Sequence, residues 1–141
     1  MRRRIKECDF EAVFAYGECF RFALRLHDRW GYEIHGIRND LDPTRWGHVW
    51  AVKDDGKGID IRGINSEKLL VALANAELPA EVKKVDIQEV RNLIEARGYP
   101  RDLSTKLDSL ADWIVDTHER FNGAKPTAKC LREIFDRDNN R

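Results

Sequence analysis

The chain has no net charge, because 25 lysine and arginine residues balance 25 aspartate and glutamate residues over its 141 positions. A nucleic-acid-binding protein typically carries a basic excess or a basic face. The only basic cluster here is the run Arg2-Arg3-Arg4, which is short, terminal and expected to be solvated. The charge pattern therefore predicts that nucleic acid is not a partner.

Long apolar runs are also missing. No stretch of the sequence is long and apolar enough to cross a membrane as a helix, and no apolar segment follows the basic run as in a secretory signal peptide. Cysteine is scarce, and Cys8, Cys19 and Cys130 are an odd, widely spaced set that fits neither a zinc site nor a disulfide framework. We expect no metal, no cofactor, no membrane contact and a reducing, cytoplasmic location. The oligomeric state stays open.

The first half of the chain predicts a helix followed by a small sheet. From Glu18 to Trp30 the apolar residues follow helical spacing and leave only a narrow polar stripe, which indicates a largely buried helix ending at Gly31. The stripe consists of Arg21, Arg25, Asp28 and Arg29. Three strand candidates follow, with a polar loop from Asn39 to Gly47 between the first two: Tyr32 to Arg38, His48 to Lys53, and Gly58 to Arg62.

After Gly63 the pattern becomes helical. Ser66 and Asp86 are predicted N-caps, Ser104 or Thr105 a third, and Pro126 suits the first turn of a last helix. A short helix or turn is expected over residues 9–16. The sequence thus predicts an α+β fold, with a cysteine-bearing helix on a small antiparallel sheet of about three strands, followed by three or four helices. A single domain, residues 1–141, is expected, in which residues 64–136 pack on a core of residues 17–63.

Three residues in this first half have the chemistry of an acyl-transfer site. Cys19 lies at a helix start, where unpaired amides favour the thiolate and can receive an oxyanion. His48 begins one strand candidate and is a possible base, and Asp60 lies in the next strand candidate, where an acidic residue has low propensity. Cys19 as nucleophile, His48 as base and Asp60 as orienting carboxylate form a predicted catalytic triad.

The hairpin between His48 and Asp60 decides whether these two residues can meet. A two-residue turn at Asp55-Gly56 pairs Ala51 with Asp60 and places His48 and Asp60 on opposite faces. A three-residue turn, with Gly56 left-handed, pairs Trp50 with Asp60 and makes His48 and Asp60 diagonal neighbours on one face. The second register is the one that a triad requires.

Each of the three residues also has a structural interpretation. Cysteine is among the most buried residue types, so Cys19 could fill the core as a small hydrophobe. Asp60 could lie on an exposed sheet edge, and His48 could be a core histidine with satisfied hydrogen bonds. The catalytic hypothesis therefore depends on the three side chains converging.

The order of these residues resembles the core of papain-like cysteine enzymes. Cys19 at a helix start, Gly31-Tyr32 after the helix, His48-Val49 at a strand start and Asp60 before Gly63 are closest to the pattern of transglutaminase-like and arylamine N-acetyltransferase-like proteins. The resemblance covers residues 17–63. It departs from the papain pattern at Val13, where an upstream glutamine would stand, and in the lack of a tryptophan directly before Cys19.

The sequence therefore predicts cysteine-dependent acyl transfer or amide hydrolysis on a protein or peptide, as a peptidase, a deamidase or a transglutaminase-like enzyme. Trp46 and Trp50 flank His48 and are candidate substrate contacts, although Trp50 also fits a core position in the three-residue register. The alternative is a non-catalytic protein-interaction module, such as a small inhibitor or adaptor protein from a mobile element, that uses the helical half as its surface.

Overall fold

The computed structural model describes residues 13–14, 18–39, 42–74 and 81–126. Cys8, Cys130, the predicted helix after Pro126 and most of the predicted helix over 9–16 lie outside the described residues. The elements, numbered in chain order, are α1 (Cys19–Trp30), β1 (Glu33–Asn39), β2 (Asp42–Val52), β3 (Gly58–Asp60), β4 (Gly63–Asn65), α2 (Glu67–Leu73), β5 (Val82–Lys84), α3 (Ile87–Glu95), α4 (Arg101–Thr117) and a 3₁₀ turn, Glu119–Phe121.

The strands form one antiparallel sheet in the order β4-β3-β2-β1-β5. The predicted α+β class is confirmed, with the cysteine-bearing helix α1 before the sheet and helices after it. The described sheet has five strands where about three were predicted. One reason is that the third strand candidate ends at Asp60, and the chain turns at Ile61-Arg62 into a further strand, β4, which pairs with β3 and lies beyond the predicted range.

The predicted polar loop between β1 and β2 is largely strand. Strand β2 begins at Asp42 and pairs with β1 through two register shifts, between Ile37 and Arg38 and between Arg38 and Asn39. Strand β5 was missed because its three residues, which include two lysines, carry little β signal. Its formation depends on the free edge of β1, and pairing of that kind is a tertiary interaction rather than a local preference.

The predicted helix boundaries were right where a cap marks them. The Ser66 hydroxyl accepts a hydrogen bond from the Leu69 amide and the Asp86 carboxylate accepts one from the Glu89 amide, so both N-caps are confirmed. Gly31 ends α1 with a φ of 76°. The start of α4 was predicted too late, because the helix begins at Arg101 after Pro100, and Ser104 lies within it.

The polar stripe of α1 is a helix interface rather than a solvated surface. Three arginines spaced four residues apart on α1 pair with three aspartates spaced four residues apart on α4. These pairs, called here the arginine–aspartate ladder, have N–O distances of 2.8–2.9 Å: Arg21–Asp108, Arg25–Asp112 and Arg29–Asp116. Because i and i+4 positions share a helix face, the matching periods join the two helices along their length.

Both faces of the sheet are covered. Buried side chains of α1 and α4, among them Phe22, Leu26 and Ile114, pack with Ala51 and Ile59 on one face. On the other face Trp50 packs with Leu70 of α2 and with Ile37. This packing encloses the middle of β2, the strand that carries His48.

Gly36 brings β1 close to the strand that carries His48. A Cβ atom at Gly36 would lie 2.7 Å from Val49 Cγ1, 2.8 Å from Trp46 Cε3 and 3.0 Å from the His48 carbonyl oxygen. We expect Gly36→Ala to lower the free energy of unfolding by about 2 kcal/mol through overpacking, measured by urea denaturation. Gly47→Ala is the control, since a Cβ there meets only an oxygen at 3.6 Å. Equal stability of the two variants would contradict this close packing.

Candidate active site

The hairpin between β2 and β3 adopts the register that the triad requires. Ala51 pairs with Ile59 and Val52 with Gly58, and the Lys53 amide donates to the Lys57 carbonyl at 2.8 Å. The loop therefore consists of three residues, Asp54-Asp55-Gly56, and Gly56 has a φ of 85°. The register places His48 and Asp60 on one face of the sheet, as the three-residue turn predicts.

His48 and Asp60 form a buried hydrogen bond. Nε2 of His48 lies 2.9 Å from Oδ2 of Asp60, and the two residues keep only 3 % and 2 % of their surface exposed. A polar pair with this little exposure is satisfied internally, because an unpaired buried polar group is costly. Burial also excludes the interpretation of Asp60 as a residue on an exposed edge.

Arg62 completes the environment of Asp60. The Arg62 amide donates to Oδ1 of Asp60 at 2.8 Å, and its guanidinium Nη1 donates to Oδ2 at 3.2 Å. The first bond is an Asx turn, in which an aspartate accepts from the amide two residues later. It accounts for an acidic residue at the end of a strand, since Asp60 closes β3 and begins the turn into β4. The sequence pattern did not identify Arg62 as a partner of Asp60.

Cys19 is the first residue of α1 and lies beside β2. It is 7 % exposed and packs with Val49, the residue that follows His48. Its thiol is close enough to the His48 ring to raise the pKa of that ring. Because Nε2 of the ring is bonded to Asp60, Nδ1 is the ring nitrogen left for a further partner. The structure thus brings together Cys19, His48 and Asp60, the three residues that the sequence singled out.

These contacts change the charge of His48. Burial acts to lower its pKa, but the hydrogen bond to Asp60, the interaction with Cys19 and the charge of Asp60 outweigh it and raise the pKa from 6.5 to about 9. His48 is therefore an imidazolium at neutral pH. An imidazolium that lies between a sulfur and a carboxylate can stabilise the negative charge of a thiolate nucleophile.

The raised pKa predicts how stability depends on pH. A group whose pKa is higher in the folded state stabilises that state fully below its unfolded pKa, here near 6.5, and loses this contribution as the pH rises through the folded pKa of about 9. We expect the free energy of unfolding of Cys19→Ala to fall over this window relative to the double variant Cys19→Ala/His48→Gln. Because both variants lack Cys19, ionisation of its thiol does not contribute to the difference in their free energies of unfolding.

The measurement is urea denaturation of the two variants at a series of pH values. With Cys19 absent, the Asp60 hydrogen bond still acts to raise the pKa of His48 against burial, and the midpoint of the difference curve should lie below 9. A difference that does not change with pH, or that grows as the pH rises, would contradict a buried imidazolium.

The two tryptophans beside His48 have different surroundings. Trp50 is fully buried, packs on Leu70 and donates its indole N–H to Glu67 at 3.0 Å. Trp46 is partly exposed, packs against the cluster of buried residues around Cys19 and donates to Glu89 of α3 at 2.9 Å. Trp46 therefore lies partly exposed beside the cluster that contains Cys19, whereas Trp50 is a core residue.

The remaining described polar groups do not suggest a second centre of this kind. His27 and His35 bond to the Tyr32 carbonyl and to Glu67, away from the triad. Within the part of the chain that the structure describes, no three His, Cys, Asp or Glu side chains come together as metal ligands would. None of the described helices has the length and hydropathy needed to cross a membrane.

Comparison of the chain with protein-family models, with curated proteins and with solved structures found no match.

Proposed function

We propose that this protein catalyses cysteine-dependent acyl transfer or amide hydrolysis, with Cys19 as nucleophile, His48 as general acid and base, and Asp60 as the orienting carboxylate. One observation carries the proposal: a buried imidazole is bonded at Nε2 to Asp60 and lies close to a cysteine at a helix start. A nucleophile beside a base, together with a third group that orients the base, is the arrangement that activates a nucleophile in enzymes of this kind.

The chemistry proceeds in two halves. The Cys19 thiolate attacks the carbonyl carbon of an amide or thioester, and the bond from that carbon to the leaving group breaks as His48 gives its proton to the leaving nitrogen or sulfur. The product is a thioester on Cys19. Water or an amine then attacks the thioester and gives a proton to neutral His48, which becomes an imidazolium again. The acyl group leaves on the attacking molecule as its bond to the Cys19 sulfur breaks, and Cys19 returns to a thiolate.

Two further groups have roles in this scheme. The backbone amides of the first turn of α1 have no carbonyl partner within the helix, so they are placed to receive the oxyanion of the tetrahedral intermediate. Asp60, fixed by Arg62, keeps the ring of His48 oriented and stabilises its positive charge. In this scheme Arg62 is a positioning residue that acts through Asp60.

The surroundings of Cys19 favour a protein or peptide substrate. Phe20, Trp46, Ile87 and Ile94 are partly buried side chains packed on the cluster that contains Cys19, so apolar surface flanks the nucleophile. Trp46 is the proposed substrate contact. The family resemblance, to transglutaminase-like and arylamine N-acetyltransferase-like proteins, supports the same class of chemistry and extends over residues 17–63.

The experiment is acylation of the full chain with p-nitrophenyl acetate, followed by peptide mass spectrometry. Two variants are compared: Cys8→Ala/Cys130→Ala, which keeps only Cys19, and Cys19→Ala, which keeps the other two cysteines. We expect a burst of nitrophenolate and an acetyl group on Cys19 in the first variant only. Equal acylation of the two variants, or none at Cys19 in folded protein, would overturn the proposal and favour the interaction module.

A further inference from the structure

A second buried charged pair lies in the same helical turn as Cys19, at the start of α1. Glu18, the N-cap residue of α1, is 5 % exposed, and its Oε2 accepts a hydrogen bond at 3.0 Å from Nε of Arg21, which is 3 % exposed. Among the described residues, the other oxygen of Glu18, Oε1, is buried with no hydrogen-bond partner. The charge of Glu18 therefore depends on Arg21 for compensation.

Arg21 also connects this turn to α4. Its Nη1 donates to Asp108 Oδ1 at 2.9 Å and lies 3.4 Å from the Ser104 carbonyl oxygen, and its Nη2 donates to Ser104 Oγ at 3.1 Å. A planar guanidinium holds several acceptors in a fixed geometry, which lysine cannot reproduce. Arg21 thus fixes the first turn of α1, which carries Cys19, against a second helix.

We propose that Arg21 is a positioning residue for Cys19: it holds the Glu18 carboxylate and neutralises it, so that the residue next to the nucleophile does not oppose thiolate formation. This inference rests on the proposed function. A like charge beside an ionisable group disfavours its charged form, and burial strengthens that effect. Without Arg21, the thiolate would form one residue along the chain from a buried carboxylate that lacks its counter-charge.

Other members of the arginine–aspartate ladder do not share this role. Arg25 pairs with Asp112 through Nη2 at 2.9 Å, but it lies one helical turn further from Cys19 and is 27 % exposed. Arg25 therefore provides a matched control, an arginine of the same helix with the same kind of partner. Within the part of the chain that the structure describes, charged or titratable groups surround the first turn of α1 on several elements. They are the N-cap Glu18, Arg21 and Arg25 on α1, Asp108 on α4, Arg38 on β1 (over the Trp46 ring), His48 on β2, Asp60 and Arg62 at the β3–β4 turn, and Glu89 on α3.

The test is the rate of iodoacetamide alkylation of Cys19 as a function of pH, followed by mass spectrometry. Arg21→Gln is expected to slow alkylation roughly tenfold at a pH near 6, and to move the rate–pH curve toward alkaline pH. Arg25→Gln should keep the wild-type curve. The double variant Glu18→Gln/Arg21→Gln removes both charges and is expected to recover most of the rate.

The recovery separates an electrostatic role from a purely structural one, because the double variant has lost the same contacts to α4. An Arg21→Gln curve that matches Arg25→Gln, or a double variant as slow as Arg21→Gln, would overturn the inference. Should Arg21→Gln fail to fold by circular dichroism, Glu18→Gln alone decides: its alkylation should be at least as fast as wild type, and slower alkylation would overturn the inference. A wild-type Cys19 that does not react at all would instead refute the proposed function.

Discussion

Replacing His48 by glutamine is expected to slow alkylation of Cys19 by iodoacetamide about 100-fold at a pH near 6. The reagent reacts with the thiolate, and a free cysteine with a pKa near 8.5 is well under 1 % ionised at this pH. In the proposed mechanism the charge of the His48 imidazolium, whose pKa is raised to about 9, favours the reaction of Cys19 as a thiolate. Glutamine keeps a polar side chain at the position but cannot carry the charge.

The measurement is the initial rate of labelling, with the site identified by mass spectrometry. His27→Gln is the matched control, because His27 is also on a described element but bonds at 2.8 Å to the Tyr32 carbonyl and not to the triad. We expect its labelling rate to equal that of wild type. Equal rates for His48→Gln and His27→Gln would show that Cys19 does not depend on His48, and the catalytic proposal would fail.

Replacing Asp60 by asparagine is expected to lower both stability and reactivity. Asp60 accepts hydrogen bonds from His48 and from Arg62, and the first of these is fully buried. Removing one partner of a buried ion pair leaves the other charge uncompensated, which costs about 3 kcal/mol. Without Asp60, burial also favours the neutral ring of His48, so Cys19 alkylation should slow about tenfold near neutral pH.

The loss of stability should depend on pH in a defined direction. Below about 9 the wild-type His48 is charged, so the cost of Asp60→Asn is largest there and shrinks as the pH rises through that pKa. Urea denaturation near pH 6 and near pH 10 measures this difference. Asp55→Asn is the control, since Asp55 also accepts from an amide two residues later, at Lys57, but is exposed in the hairpin loop. A cost for Asp60→Asn as small as that for Asp55→Asn would exclude Asp60 from the mechanism.

Local signals were enough to predict the elements that depend on local chemistry. The apolar spacing from Glu18 to Trp30, the glycine stop at Gly31 and the caps at Ser66 and Asp86 each describe interactions among neighbours in the chain, and α1, α2 and α3 follow them. The start of α4 shows the limit of such signals. Serine and threonine are common caps, but Pro100, whose ring fixes φ, is the N-cap, and the helix begins four residues earlier than a Ser104 cap implies.

At the candidate site, the sequence determined which reactive side chains are present, and the tertiary structure decided how they are arranged. Cys19, His48 and Asp60 were identified by residue type and by their place on predicted elements. Both hairpin registers were compatible with the sequence, and only the three-residue loop lets His48 and Asp60 meet. The Asx turn of Asp60 onto Arg62 arises only once that register is set.

Contacts between distant parts of the chain were beyond the sequence pattern. The stripe of arginines on α1 was visible, but its partners lie 87 positions later on α4, and residues this far apart carry no shared local signal. Trp50 was a plausible substrate contact until packing by α2 covered it, whereas Trp46 stayed at the surface. Periodicity and caps specify an element through neighbours in the chain. Burial, charge compensation and hydrogen-bond geometry depend on which elements pack together, and here they decide how Cys19 meets His48.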